Sequence, residues 1–81
     1  MKKQTIREQA EYMEFPVVGK LRRASLENDV DIYGRPMHNK GDRLYLDDRG
    51  AEYMVDSHGI LFDISYVDEK GNWEHIDRTW K

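Results

Sequence analysis

The sequence predicts a small, mainly β domain: an antiparallel, SH3-like or related curled barrel of five to six strands with one short N-terminal helix. Three observations carry that expectation. From Val17 onward, short apolar runs alternate with Gly, Asn and Asp, the texture of strands and turns. Two stretches, Tyr45-Leu-Asp-Asp-Arg-Gly-Ala-Glu-Tyr-Met-Val-Asp56 and Tyr66-Val-Asp-Glu-Lys-Gly-Asn-Trp-Glu-His-Ile-Asp77, repeat one pattern 21 residues apart. Finally, a chain of 81 residues has room for one core and none for parallel crossovers. A single domain is therefore expected over residues 1–81, with a helix at about 5–14 and a β meander at about 17–77.

The helix rests on Thr5-Ile-Arg-Glu8, a capping box in which the Thr5 hydroxyl accepts from the amide of residue 8 and Glu8 reaches back to residue 5. Ile6, Ala10 and Met13 then share one face, and Pro16 disfavours helical geometry at Phe15, ending the helix near Glu14. So short a helix must dock on something to persist. Strands are expected at Val17–Arg23, Val30–Tyr33, Leu44–Asp47, Glu52–Val55, Ile60–Val67 and Trp73–Ile76, with polar residues 25–29 and the turn-rich residues 34–41 between the first three.

In both repeated stretches an Asp is followed by two charged residues and a Gly. That composition suits a type I turn completed by a left-handed residue, placing bulges at Gly50 and Gly71. Pairing Asp47 with Ala51 sets Tyr45 against Tyr53 and Leu44 against Met54. Pairing Asp68 with Asn72 sets Val67 against Trp73 and Ile64 against Ile76. Each hairpin then carries apolar residues on both faces, which a barrel wall partly covered by the helix would explain. Phe15, Phe62 and Tyr66 are the expected aromatic core. Trp80 either caps that core or anchors a dimer.

Charged residues make up 36% of the chain, with a net charge of −3. Residues 1–40 hold eight Lys or Arg against six Asp or Glu, and residues 41–81 hold five against ten. The absence of cysteine excludes a disulfide scaffold, a thiolate metal site and a cysteine nucleophile, and fits a cytoplasmic address. The basic Met-Lys-Lys start is followed by glutamates rather than an apolar run, so no signal peptide or membrane span is expected. His38, His58 and His75 stand in no His-x-His or His-Glu-x-x-His spacing, and Ser25 and Ser57 have no nucleophile-elbow context. Neither an enzyme, a metal site nor a cofactor is expected.

What remains is binding. Nine aromatic residues are more than so small a core can hide. Together with the acidic second half, they predict a non-catalytic protein-binding surface on Tyr45, Asp47, Asp48, Tyr53, Glu69, Trp73 and Glu74. The alternative is single-stranded nucleic-acid binding through Lys20, Arg22, Arg23, Arg35 and Lys40, with Tyr33 to stack on a base. Leu21-Arg-Arg-Ala-Ser-Leu26 also matches the pattern favoured by basophilic serine kinases, with Ser25 as acceptor. The partner is unnamed by these residues, and the chain is expected as a monomer or weak dimer.

The run Val30-Asp-Ile-Tyr-Gly-Arg-Pro-Met-His-Asn-Lys-Gly-Asp42, followed by Leu44, Leu46 and a later Gly turn and strand, resembles small uncharacterised β-barrel proteins carried on mobile elements of Gram-positive bacteria. The resemblance covers roughly residues 17–66. It implies a barrel fold and an accessory role, such as an inhibitor or modulator encoded by a phage or other mobile element, and it assigns no functional residues.

Overall fold

One local solution builds most of the chain. In the computed structural model, which describes residues 4–78, the sequence Asp-x-x-Gly forms the same turn four times, beginning at Asp31, Asp47, Asp56 and Asp68. In each, the Gly amide donates to the Asp carbonyl, and the Asp amide donates to the carbonyl of the residue after Gly. The Asp Oδ1 accepts from the amides two and four residues on, at 2.8–3.0 Å in every copy. Gly34, Gly50, Gly59 and Gly71 all have φ between 79° and 87°, where a Cβ would be strained. Two of these turns follow from the repeated stretches; the other two use the same chemistry on different neighbours.

The turns fold the chain into α1 (Ile6–Tyr12), β1 (Arg22–Ala24), β2 (Arg43–Leu46), β3 (Glu52–Val55), β4 (Leu61–Val67) and β5 (Trp73–Asp77). The strands form one antiparallel sheet in sequence order. All four expected facing pairs are present: Tyr45 with Tyr53, Leu44 with Met54, Val67 with Trp73, and Ile64 with Ile76. The β3–β4 register shifts between Met54 and Val55, where Met54 faces Asp63 and Val55 faces Leu61, so Phe62 is the extra residue of a bulge.

Helix α1 has the expected capping box, with Thr5 Oγ1 accepting from the Glu8 amide at 3.1 Å and Glu8 Oε1 from the Thr5 amide at 3.2 Å. It ends at Tyr12 with Met13 as C-cap. The Phe15 amide then bonds to Ala10 O and the Glu14 amide to Glu11 O, both at 2.9 Å, while Glu14 takes φ 63°. This is a Schellman closure with Glu in the left-handed position that glycine usually fills. The helix is held to the sheet by Gln9, which is buried. Its Nε2 donates to Gly59 O and its Oε1 accepts from the Leu61 amide, both at 2.9 Å, satisfying backbone groups where the bulged strand begins.

Tyr53, Val55, Leu61 and Ile64 are fully buried between sheet and helix, joined by Ala10, Phe15, Val17 and Ala51. Burying each of the four large side chains contributes about 1.5–3 kcal/mol. Phe15 meets Tyr53 edge-on at 6.0 Å between ring centres and Tyr66 at 4.9 Å, and the Arg49 guanidinium lies 4.5 Å from the Phe15 ring centre. Residues 15–19 run as a strap over the Asp47 turn. Arg49 donates to Pro16 O at 2.6 Å, Asp48 N to Val18 O at 3.0 Å, and the Arg7 guanidinium to the carbonyls of Val17 and Gly19. Gly19 is required there twice over, because its φ is 73° and a Cβ would lie 1.7 Å from Asp48 Oδ2.

Several expectations change. The sheet among the described residues is open, with β1 and β5 as its two edges, and is not closed into a barrel. The first strand keeps only Arg22–Ala24, because Val17 and the residues around it serve as the strap. No strand forms over 30–33. Asp31 diverts the chain into a turn, and only an isolated bridge pairs Val30 with Pro36. Phe62 leaves the core at the bulge and turns to the opposite face of the sheet, whereas Phe15 is buried and Tyr66 packs against the core as expected. Trp80 lies outside the described residues.

Candidate functional site

Strand alternation fixes what the other face of the sheet presents. With Tyr53, Val55 and Ile64 turned to the core, the register aims Glu52, Met54, Asp63 and Ser65 the other way, alongside Leu44 and Leu46 of β2 and Trp73, His75 and Asp77 of β5. The helix does not cover this face. Residues 25–42 rise along one side of it instead, and the result is an open groove of about 550 Å³. Its floor is Leu44, Met54 and Phe62, with Leu26 and Met37 from the loop. Its polar lining includes the carboxylates of Asp29, Asp42, Glu52 and Asp63, and none of the described lining residues is Lys or Arg. Beyond Ser65 the surface continues past Trp73, Glu74 and His75, again with no Lys or Arg among the described lining residues.

His38 stands in the loop wall with its Nδ1 buried and without a hydrogen bond, 3.9 Å from Asp29 Oδ2. On the sheet, His75 Nδ1 lies 3.2 Å from both Asp63 Oδ1 and Asp77 Oδ1, and the Ser65 hydroxyl donates to Asp63 Oδ2 at 3.4 Å. Burial raises the Asp63 pKa, and the neighbouring Asp77 raises it further. The hydrogen bond to Asp63, followed by the charge of Asp77, raises the His75 pKa. These three side chains are the one set among the described residues whose ligand atoms converge as a metal's would.

The residues expected from sequence are divided by the fold. Trp73, 61% exposed, and Glu74 border the groove. Asp48 and Glu69 are exposed in turns at other corners. Tyr45 packs against the core. Asp47 and Tyr53 are fully buried, which leaves neither any surface to offer a partner. Instead they bond to each other: the Tyr53 hydroxyl donates to Asp47 Oδ2 at 2.8 Å, and Arg49 donates to the same oxygen from Nε and one terminal nitrogen at 3.2 and 3.1 Å. Burial pushes the Asp47 pKa up, but the hydrogen bonds from Tyr53, Ala51, Arg49 and Val18 outweigh it and hold the group below its ordinary value. Burial, reinforced by the bond to Asp47, drives the Tyr53 hydroxyl up to about 12.

The basic set is likewise dispersed. Arg23 and Lys40 line one shallow hollow with Arg43 and Ser25, but Glu27 and Asp42 share it, and Lys20, Arg22 and Arg35 lie elsewhere. Arg35 pairs with Asp31 at 3.1 Å and lies 5.1 Å from the Tyr33 ring centre, on a ring that a base would otherwise stack upon. Ser25 is exposed, and its Oγ accepts from the Glu27 amide at 3.2 Å.

The floor and the acidic lining were absent from the sequence expectation, although their signal was present. Apolar residues on both faces of each hairpin fit a closed wall as well as an open one. In an open sheet the same pattern means one covered face and one apolar face left for use. What these elements define is an open β meander with a docked helix and a carboxylate-lined apolar groove. No protein-family model, no curated protein and no solved structure matches the chain, and among the described residues no helix is long and apolar enough to cross a membrane.

Proposed function

We propose that the protein is a non-catalytic binding module whose groove takes a basic, apolar-studded segment of another protein. The observation that carries this reading is the pairing of an uncovered apolar sheet face with an acidic lining in which none of the described residues is Lys or Arg. Leu44, Met54 and Phe62 would take alternate apolar side chains of an extended segment, and Asp29, Asp42, Glu52 and Asp63 would meet its cations. The tip of the loop wall adds apolar area. Of the four Asp-x-x-Gly turns, three carry polar residues in the middle positions, whereas the turn at Asp31 carries Ile32 and Tyr33, 91% and 75% exposed. Such a surface suits an accessory inhibitor or modulator that seizes a cationic segment of a larger protein.

The test uses a ten-residue peptide alternating Arg and Leu, with a Glu-Leu peptide as control, followed by amide chemical shifts. The expected result is binding of the first peptide alone, with shifts centred on Leu44, Glu52, Met54 and Ser65. Glu52→Lys should weaken it on the order of 5–10-fold, and added salt should weaken it further. Equal binding of both peptides, or shifts confined to Lys20–Arg23 and Arg35–Lys40 on adding a single-stranded oligonucleotide instead, would reject this reading for the alternative or for neither.

A further inference from the structure

We propose that Asp63, His75 and Asp77 form a binding site for a divalent transition-metal ion of the zinc type at the β4–β5 end of the open face. The three side chains reach one point because of register. Asp63 lies directly opposite Asp77, and His75, two residues from Asp77, is on the same face of β5. Two carboxylates set opposite each other repel, and here the imidazole nitrogen stands between them. A zinc-type ion about 2.0–2.2 Å from each ligand atom separates those atoms by roughly 3.0–3.5 Å. The two Nδ1–Oδ1 edges are already 3.2 Å, and all three ligand atoms lie within 4.8 Å of one another. Asp77 is exposed at the end of β5, so its carboxylate is free to adjust to an ion. Ser65 holds the other oxygen of Asp63 at 3.4 Å, in the outer position that orients a ligating carboxylate.

The donor set also selects the ion. One imidazole with two carboxylates and no thiolate suits Zn²⁺ or Mn²⁺, whereas Ca²⁺ and Mg²⁺ prefer oxygen alone. Three protein ligands from one sheet face leave the remaining coordination positions toward solvent and the groove, open to water or to a ligand group. The site shares Asp63 with the groove lining, but the metal titration contains no peptide and the peptide titration no metal, so either reading can fail without the other.

The experiment is calorimetric titration of the full chain with ZnCl₂, MnCl₂ and CaCl₂ at pH 7.5, with no other ligand. Single-site binding of Zn²⁺ is expected, tighter than Ca²⁺, and accompanied by shifts of the His75 ring and the β4–β5 amides. H75Q and D77N should each weaken it at least about tenfold, and H58Q, in a turn away from the site, should not. His75 and Asp77 are exposed, so their variants should keep the urea midpoint of the parent, which separates ligation from folding. If the trio is only an ion cluster, Zn²⁺ will bind the parent no more tightly than it binds H75Q or D77N, and the proposal fails. It fails equally if Ca²⁺ binds as tightly as Zn²⁺.

Discussion

Asp47 and Asp68 occupy the same position of the same turn, yet their removal should have very different effects. In Asp68→Ala the chain loses two bonds to exposed amides, those of Lys70 and Asn72, a change of about 1 kcal/mol. In Asp47→Ala the equivalent bonds go to Arg49 and Ala51, and the fully buried carboxylate also accepts from the Tyr53 hydroxyl. The Ala51 amide and the Tyr53 hydroxyl proton are then left without an acceptor in the interior at about 1–3 kcal/mol each, and Arg49 loses its carboxylate partner, keeping Pro16 O and the Tyr53 oxygen. The total is about 3–5 kcal/mol. A domain of this size has roughly 4–12 kcal/mol of stability in all, so Asp47→Ala should be marginally folded at best. Urea unfolding followed by far-ultraviolet circular dichroism compares the two variants directly, with Tyr53→Phe expected between them. If Asp47→Ala and Asp68→Ala lie within about 1 kcal/mol of each other, the buried network contributes nothing beyond its turn, and the reasoning is wrong.

Glu14 is a non-glycine residue at φ 63°, so Glu14→Gly should stabilise the chain by about 0.5–1 kcal/mol, read as a higher urea midpoint; a loss would mean that its side chain is needed. Gln9→Leu keeps the helix but leaves Gly59 O and the Leu61 amide unpaired, and should cost about 2–4 kcal/mol and speed hydrogen exchange at Leu61. The pKa values of Asp31, Asp47 and Asp56 are held below their ordinary value in the folded chain. The stability they confer is therefore present above the unfolded pKa of about 4 and lost as pH falls through the folded values. Urea midpoints measured from pH 6 to pH 2 should fall steeply only below about 4, less steeply in Asp56→Asn. Tyr53 should resist ionisation until about pH 12 in an ultraviolet titration.

The hairpins were legible because their determinants are local. An Asp that accepts two amides and a Gly with positive φ fix the turn, and the turn fixes every facing pair up the two strands. The capping box was legible for the same reason. Nothing local distinguishes Asp47 from Asp68, however: what buries Asp47 is the strap of residues 15–19, thirty positions earlier in the chain. Gln9 was unreadable as an anchor because its partners are 50 and 52 residues away. Apolar residues on both faces suit a barrel, but closure needs the two edges to meet, and β1, only three residues long with two of them arginines, does not pair with β5. The Asp63–His75–Asp77 set was hidden by the same logic. His75-x-Asp77 has the period of a strand, and its third member appears only when β4 is laid alongside.

The sequence-ordered sheet also shapes how the chain reaches its native state. Once Asp47, Asp56 and Asp68 have closed their turns, β2 to β5 can assemble from neighbours joined by loops of only five residues, at little entropic cost. The expensive closure is the one Gln9 makes, because it must bring residue 9 to residues 59 and 61 before the open end of the bulge is sealed. The strap lies across Asp47 on the same side. Docking of the N-terminal segment thus gives a two-faced meander its inside, and the longer the chain spends undocked, the longer both apolar faces are open to other chains.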